Sequence, residues 1–246
     1  MNSLTKISLS LLAASLLFTS CKKESTGLSA SSLGVKIQAT NQSFSLLKST
    51  VATTASFVWD SCFINVSKIE FEAERHENEM AHDSANIHFE WNGPKKIDLF
   101  SQTSLIGDIS LQPGIYEEIS IKIEALKSDA GASPVFYLSG YFTNSTGMVI
   151  PIAVMVNEDF WFKIKKEGSG LSATTDYTTL INMNLTLLMS GILTSELESA
   201  TLTNGKIIIS SASNSSLFQK INFNLSHCEE SQFDQGKESE SGKGKG

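Results

Sequence analysis

The stretch Phe63-Ile64-Asn65-Val66-Ser67-Lys68-Ile69-Glu70-Phe71-Glu72-Ala73-Glu74 decides the fold class. Apolar and polar residues alternate along it with a period of two, the signature of a strand with one face in a core and one in water. Upstream, Val35, Ile37 and Ala39 alternate with polar partners in the same way. Downstream, similar segments are legible at Asn86 to Trp91, Lys95 to Phe100, Ile106 to Leu111, Glu117 to Leu126, Val135 to Thr143, Met148 to Val156, Phe160 to Lys166, Thr178 to Leu188 and Lys206 to Ser211. So many short strands with turn residues between them predict an all-β domain.

The turn chemistry agrees. Asn92-Gly93-Pro94 and Gln112-Pro113-Gly114 each separate two strands, and Asn144-Ser145-Thr146-Gly147 and Asn157-Glu158-Asp159 have the composition of hairpin connections. Antiparallel pairing is the expectation. Helical spacing recurs only over Ser190 to Leu202, through Ile192, Leu193, Glu196, Leu197 and Ala200, with a weaker candidate at Ser215 to Phe218. A single sheet of this many strands would leave an apolar face wet, so the pattern predicts an antiparallel β-sandwich with one short helix near 190–202. A closed barrel with a ligand cavity is the alternative, and periodicity does not separate the two.

Outside the strands the chain changes character. Lys6 followed by an apolar run from Ile7 to Phe18 reads as a targeting segment, too short to span a bilayer. It ends in Leu17-Phe18-Thr19-Ser20-Cys21, which resembles a bacterial lipobox and makes Cys21 the candidate lipidation site. Acyl chains there would hold the chain to a membrane, at roughly 0.8 kcal/mol per buried methylene. The sequence thus divides into a signal peptide (1–20), a flexible tether (21–33), a β-sandwich domain (34–228) and a disordered tail (229–246). The expected place is the bacterial outer membrane, on its surface or its periplasmic face.

The order Val66 to Phe71, then Lys96-Ile97-Asp98-Leu99-Phe100, then Leu111-Gln112-Pro113-Gly114-Ile115-Tyr116-Glu117-Glu118-Ile119-Ser120-Ile121-Lys122-Ile123 resembles an uncharacterised lipoprotein domain family of Bacteroidota. That resemblance covers roughly Phe63 to Leu188 and implies an Ig-like or transthyretin-like sandwich without enzymatic activity. The chain departs from the family's pattern at Gln112 and Ile115, and the resemblance transfers no functional residue.

A net charge of −7, a pI near 5.2 and a single arginine, Arg75, exclude a phosphate-binding surface and hence a nucleic-acid partner. Cys62 and Cys228 either pair as a disulfide or sit as buried free thiols. The chemically richest segment is Arg75 to His88: His76, Glu79, His82 and His88 are candidate metal ligands, although their spacing lacks the four-residue step of a zincin helix. A solvated connection between strands accounts for the same composition. Asp83-Ser84-Ala85 resembles an O-glycosylation signal at Ser84. Trp91, Trp161, Tyr141 and Phe142 are candidates for a carbohydrate-stacking platform. No nucleophile elbow, phosphate loop, zincin motif or dinucleotide fingerprint occurs, so the expectation is a non-catalytic binding or structural module with no cofactor. It meets the membrane through Cys21 and a protein or glycan through its loops. Metal or glycan capture and fimbrial strand-exchange assembly are the alternatives.

Overall fold

The computed structural model describes residues 31–46, 55–77, 83–102, 105–127, 133–166, 171–172 and 176–235. Its strands are β1 (Ser31–Thr40), β2 (Ser43–Leu46), β3 (Ala55–His76), β4 (Ser84–Asp98), β5 (Leu105–Leu111), β6 (Ile115–Ala125), β7 (Phe136–Thr143), β8 (Val149–Val156), β9 (Phe160–Lys166), β10 (Leu171–Ser172), β11 (Tyr177–Asn184), β12 (Leu202–Thr203), β13 (Lys206–Ile209) and β14 (Glu229–Gln235). Among the described residues there are three helices, α1 (Leu185–Leu188), α2 (Thr194–Glu198) and α3 (Ser215–Leu225), all after β11. The fold is all-β and sandwich-like, with one four-stranded sheet in the order β14-β11-β1-β5 and one ten-stranded sheet.

The 22-residue β3 is the spine of the larger sheet. Its first half lies between β2 and β7, its second between β4 and β6. From there β7 leads to β8, β13 and β12, while β9 and β10 pair with the far edge of β6. Uniform alternation does not survive over this length. Ala55, Phe57 and Trp59 are buried, then Cys62, Ile64 and Val66, then Ile69, Phe71 and Ala73. The steps 59 to 62 and 66 to 69 coincide with register shifts against β7 and β4. Against β7 the extra residue is Asp60 on β3, against β4 it lies on β4, and after each step the buried apolar side chains are again on one face of β3. Phe63 consequently points outward, stacked on Tyr137 at 5.0 Å with the Lys96 ammonium 3.7 Å from its ring centre.

The two sheets share one core. Leu33, Val35 and Ile37 of β1 and Ile181 and Met183 of β11 are buried in the same apolar cluster as the inner face of β3 and β6. Gly107 of β5 faces the Ile69 side chain of β3. Leu99 links the layers, accepting from Ala39 N–H and donating its own N–H to the Cys62 carbonyl, both at 2.8 Å. α3 packs Leu217, Phe218, Ile221 and Leu225 into the cluster and contacts β8 and β13.

Several expectations need correction. Pairing is mixed: β1 runs parallel to β11 and β8 parallel to β13. Asn92-Gly93-Pro94 separates no strands but lies inside β4, where Lys68 pairs with Asn92 and Val66 with Lys95, leaving one extra residue on β4. A Cβ at Gly93 would stand 2.4 Å from the Val66 carbonyl oxygen, so this close approach requires glycine. Asn157-Glu158-Asp159 is no hairpin, since β8 pairs with β7 and β13 while β9 pairs with β6. The helix within 190–202 is confined to Thr194–Glu198, and the 215–218 candidate extends to Leu225 as the longest described helix. β1 begins at Ser31, within the stretch assigned to the tether, and Glu229–Gln235 forms β14 where a disordered tail was expected. β11 supplies the reason, because its ladder gives that polar segment seven backbone pairings from Met183–Glu229 to Tyr177–Gln235.

The Asn144–Gly147 hairpin is present. Asn144 Oδ1 accepts from the N–H groups of Thr146 and Met148, and Gly147 adopts a φ of 86°. Gln112-Pro113-Gly114 crosses from β5 in one sheet to β6 in the other. Tyr116 Oη donates to the Gln112 carbonyl at 3.0 Å and Arg75 Nη1 to the Pro113 carbonyl at 2.7 Å, so the tyrosine and the sole arginine clamp this corner.

Candidate functional site

The outer face of β4, β3, β6 and β9 is a lattice of charge. From β4 come His88 and Glu90; from β3 Lys68, Glu70, Glu72, Glu74 and His76; from β6 Glu117, Glu118, Lys122 and Glu124; from β9 Lys163 and Lys165, beside the Trp161 ring. Alternation alone would send one of Glu117 and Glu118 inward. A bulge prevents this: Glu72 pairs with Ser120 and Glu74 with Glu117, while Tyr116 and Ile119 are both buried. The extra residue is Glu118, at a φ of 49°, a left-handed conformation that side-chain-bearing residues rarely hold.

At one end of this face the charges compensate one another. Lys68 Nζ lies 2.6 Å from Glu70 and 3.0 Å from Glu90, and these contacts hold its ammonium well above the usual lysine range. Lys68 in turn lowers the Glu70 carboxyl, while Asn92 and then Lys68 lower that of Glu90. Lys122 bonds to Glu124, which raises its ammonium, and spans to Glu70 at 3.9 Å. Towards the β6 bulge the carboxylates outnumber their partners. A depression of about 440 Å³ lies among Glu72, Glu117, Glu118, Ser120, Lys163 and Lys165, and a second of about 360 Å³ among Glu72, Glu74, Asn86, His88 and Glu118. Glu72, Glu118 and Ser120 belong to both, making one groove across the strands.

The expected metal ligands do not converge there. Much of the 75–88 segment is ladder, with His76 opposite Ser84 and His88 opposite Glu72. Four residues of β3 therefore separate the two histidines, roughly 13 Å along a strand. His76 Nε2 is 3.7 Å from Glu117, and His88 lies 3.9 Å from both Glu72 and Glu90. Glu79 and His82 lie outside the described residues, as does Cys21. Among the described residues no group of three or more histidine, cysteine or acidic side chains is arranged to hold a metal ion. Ser84 opens β4, exposed, with its hydroxyl donated to Glu74.

The aromatic candidates scatter as well. Phe142 is fully buried and Trp91 half-buried against the core, leaving Tyr141 and Trp161 exposed. Tyr141 pairs opposite Val58, whereas Trp161 reaches β3 through Glu124 at Lys68, ten residues further along and so roughly 33 Å away. Cys62 and Cys228 are free thiols buried in the core. Burial pushes the Cys62 thiol well up and Cys228 up to about 12, which keeps both protonated and unreactive at neutral pH. Sequence reasoning missed the charged face because its residues come from four strands, although the Glu117-Glu118 pair inside an alternating strand was a legible bulge signal.

Comparison with protein-family models, curated proteins and solved structures gives no match. Among the described residues no helix is long and apolar enough to cross a membrane.

Proposed function

We propose that this chain is a lipid-anchored, non-catalytic module of a bacterial cell envelope that binds a macromolecular partner through the charged outer face of β4, β3, β6 and β9. The observation that carries the reading is the form of that face: carboxylates, ammonium groups and two histidines fixed on a rigid sheet and open to solvent across four strands. An extended surface of this kind suits a partner engaging many charges at once, whereas small-molecule sites are concave, mostly apolar and enclosing. The strained Glu118 supports it further, since its bulge places a second adjacent carboxylate on the groove. Cys21, at the end of the apolar leader, supplies the anchor.

Carbodiimide footprinting of the full chain tests the proposal, comparing native envelopes with the detergent-purified protein. Glu72, Glu117 and Glu118 are expected to be protected in the envelope relative to Glu158, and Cys21→Ala is expected to leave the membrane fraction. Equal labelling in both states would remove the binding face, and a membrane-bound Cys21→Ala chain would remove the anchor.

A further inference from the structure

The stretch Asn86-Ile87-His88-Phe89-Glu90-Trp91-Asn92 has the same polar and apolar pattern read from either end, with Phe89 at its centre. It lies in β4, which hydrogen-bonds to β3 alone, so that among the described residues its other edge carries unpaired backbone groups. Exposed edges are usually blunted by proline, lysine or an inward charge. In β4 those devices sit at the far end: Pro94 and the bulge, then Lys95, whose ammonium donates to the Leu105 and Ile106 carbonyls of β5. From Ser84 to Asn92 nothing of the kind protects the edge. Ile87, Phe89 and Trp91 are only half-buried on the inner face, where the sandwich ends.

We infer that β4 pairs with β4 of a second copy, antiparallel about a two-fold axis through Phe89, joining the two large sheets into one. In that register Phe89 meets the partner's Phe89, Ile87 the partner's Trp91, His88 the partner's Glu90 and Asn86 the partner's Asn92. Aromatic and apolar-aromatic pairs directly across a ladder are favourable cross-strand combinations, and an imidazole opposite a carboxylate can hydrogen-bond to it. Neighbouring registers lose this match: an axis through His88 sets imidazole against imidazole, and one through Glu90 sets carboxylate against carboxylate, a like-charge contact that destabilises a ladder. A two-fold contact also closes on itself, giving a dimer and no fibre. The ladder shares His88, Glu90 and Asn86 with the outer charged face, and crosslinking of the purified chain reads the pairing without any partner of that face.

Cysteine crosslinking in the full chain, purified in mild detergent and treated with a short bismaleimide, tests the pairing. Residues directly opposed in a ladder lie about 4.5 to 5.5 Å apart at Cα. Phe89→Cys is therefore expected to form a covalent dimer by itself, above the level of the wild-type chain. Asn86→Cys and Asn92→Cys are each expected to stay monomeric alone and to crosslink when mixed. Phe89→Lys, which puts a charge on the inner face of the edge, is expected to lose the dimer in sedimentation velocity. A monomeric Phe89→Cys chain, or Asn86→Cys that links to itself as well as to Asn92→Cys, would overturn the inference.

Discussion

Glu118 holds a φ of 49° beside a groove of carboxylates, and nothing in its packing calls for a glutamate. A side chain in the left-handed region costs about 1–2 kcal/mol, which glycine does not incur. Glu118→Gly is therefore expected to leave stability unchanged or raise it by up to about 1 kcal/mol, while Glu118→Val, branched at Cβ, costs more than about 1 kcal/mol. Urea midpoints of the two variants against wild type decide it, and equal losses would mean that the bulge does not hold this conformation in solution. Gly114 makes the contrast. Its Cβ would come within 2.6 Å of the His76 carbonyl oxygen, so at the corner between the sheets glycine is a structural requirement, whereas at 118 the chain carries a charge where glycine would serve better.

At the scale of elements, α3 shows how packing decides what a local pattern only suggests. Leu217, Phe218, Ile221 and Leu225 recur at helical spacing and are buried, while Phe223 on the same helix is 69% exposed and stacks on His227. Ile221→Ala should cost about 2–5 kcal/mol through the lost burial and the cavity left behind, and Phe223→Ala no more than about 0.5 kcal/mol. Chemical denaturation separates them, and comparable losses would refute this orientation of the helix. The strands were more legible than the helices because period two persists over short stretches whatever the partner. Phe160–Lys166 appears in the fold with the bounds its alternation predicts. Legibility ended where partners act. The bulges that turn Phe63 outward and keep Asn92-Gly93-Pro94 inside β4 are set by register against β3, β4 and β7. The parallel pairing of β1 with β11 joins residues 144 apart, a contact that no window of sequence reports. The charged face depends on the same long-range register, which is why His76 and His88 were legible as chemistry but their separation was not.

For the whole molecule, the core shared by the two sheets ties stability to pH through two thiols that lie away from the charged outer face. Cys62 comes from the spine of the large sheet and Cys228 from the junction of α3 and β14, and Cys228 lies close enough to add to the upward displacement of Cys62. An unfolded chain releases these protons near its ordinary thiol value of 9.0, whereas the native state retains them towards about 12 at Cys228 and well above 9.0 at Cys62. Above pH 9 the unfolded state therefore binds fewer protons than the native one, and unfolding becomes easier as pH rises, by about 1.4 kcal/mol per pH unit for each thiol. Below pH 9 both states are protonated and this contribution to stability is present in full. The carboxylates act on the acid side. Glu70, Glu90 and Glu196, each held below the ordinary value of 4.5 by hydrogen bonds and lysines, favour the native state above that value and lose their effect as pH falls through the lowered ones. Urea midpoints are accordingly expected to fall at acid pH as Glu70, Glu90 and Glu196 protonate, with Glu229, raised by burial, acting in the opposite sense, to fall again above pH 9, and in Cys228→Ala to fall less steeply between pH 9 and 10 than in wild type. An unchanged alkaline slope in that variant would show that Cys228 is not protonated and buried in the native core, and would reopen its pairing with Cys62.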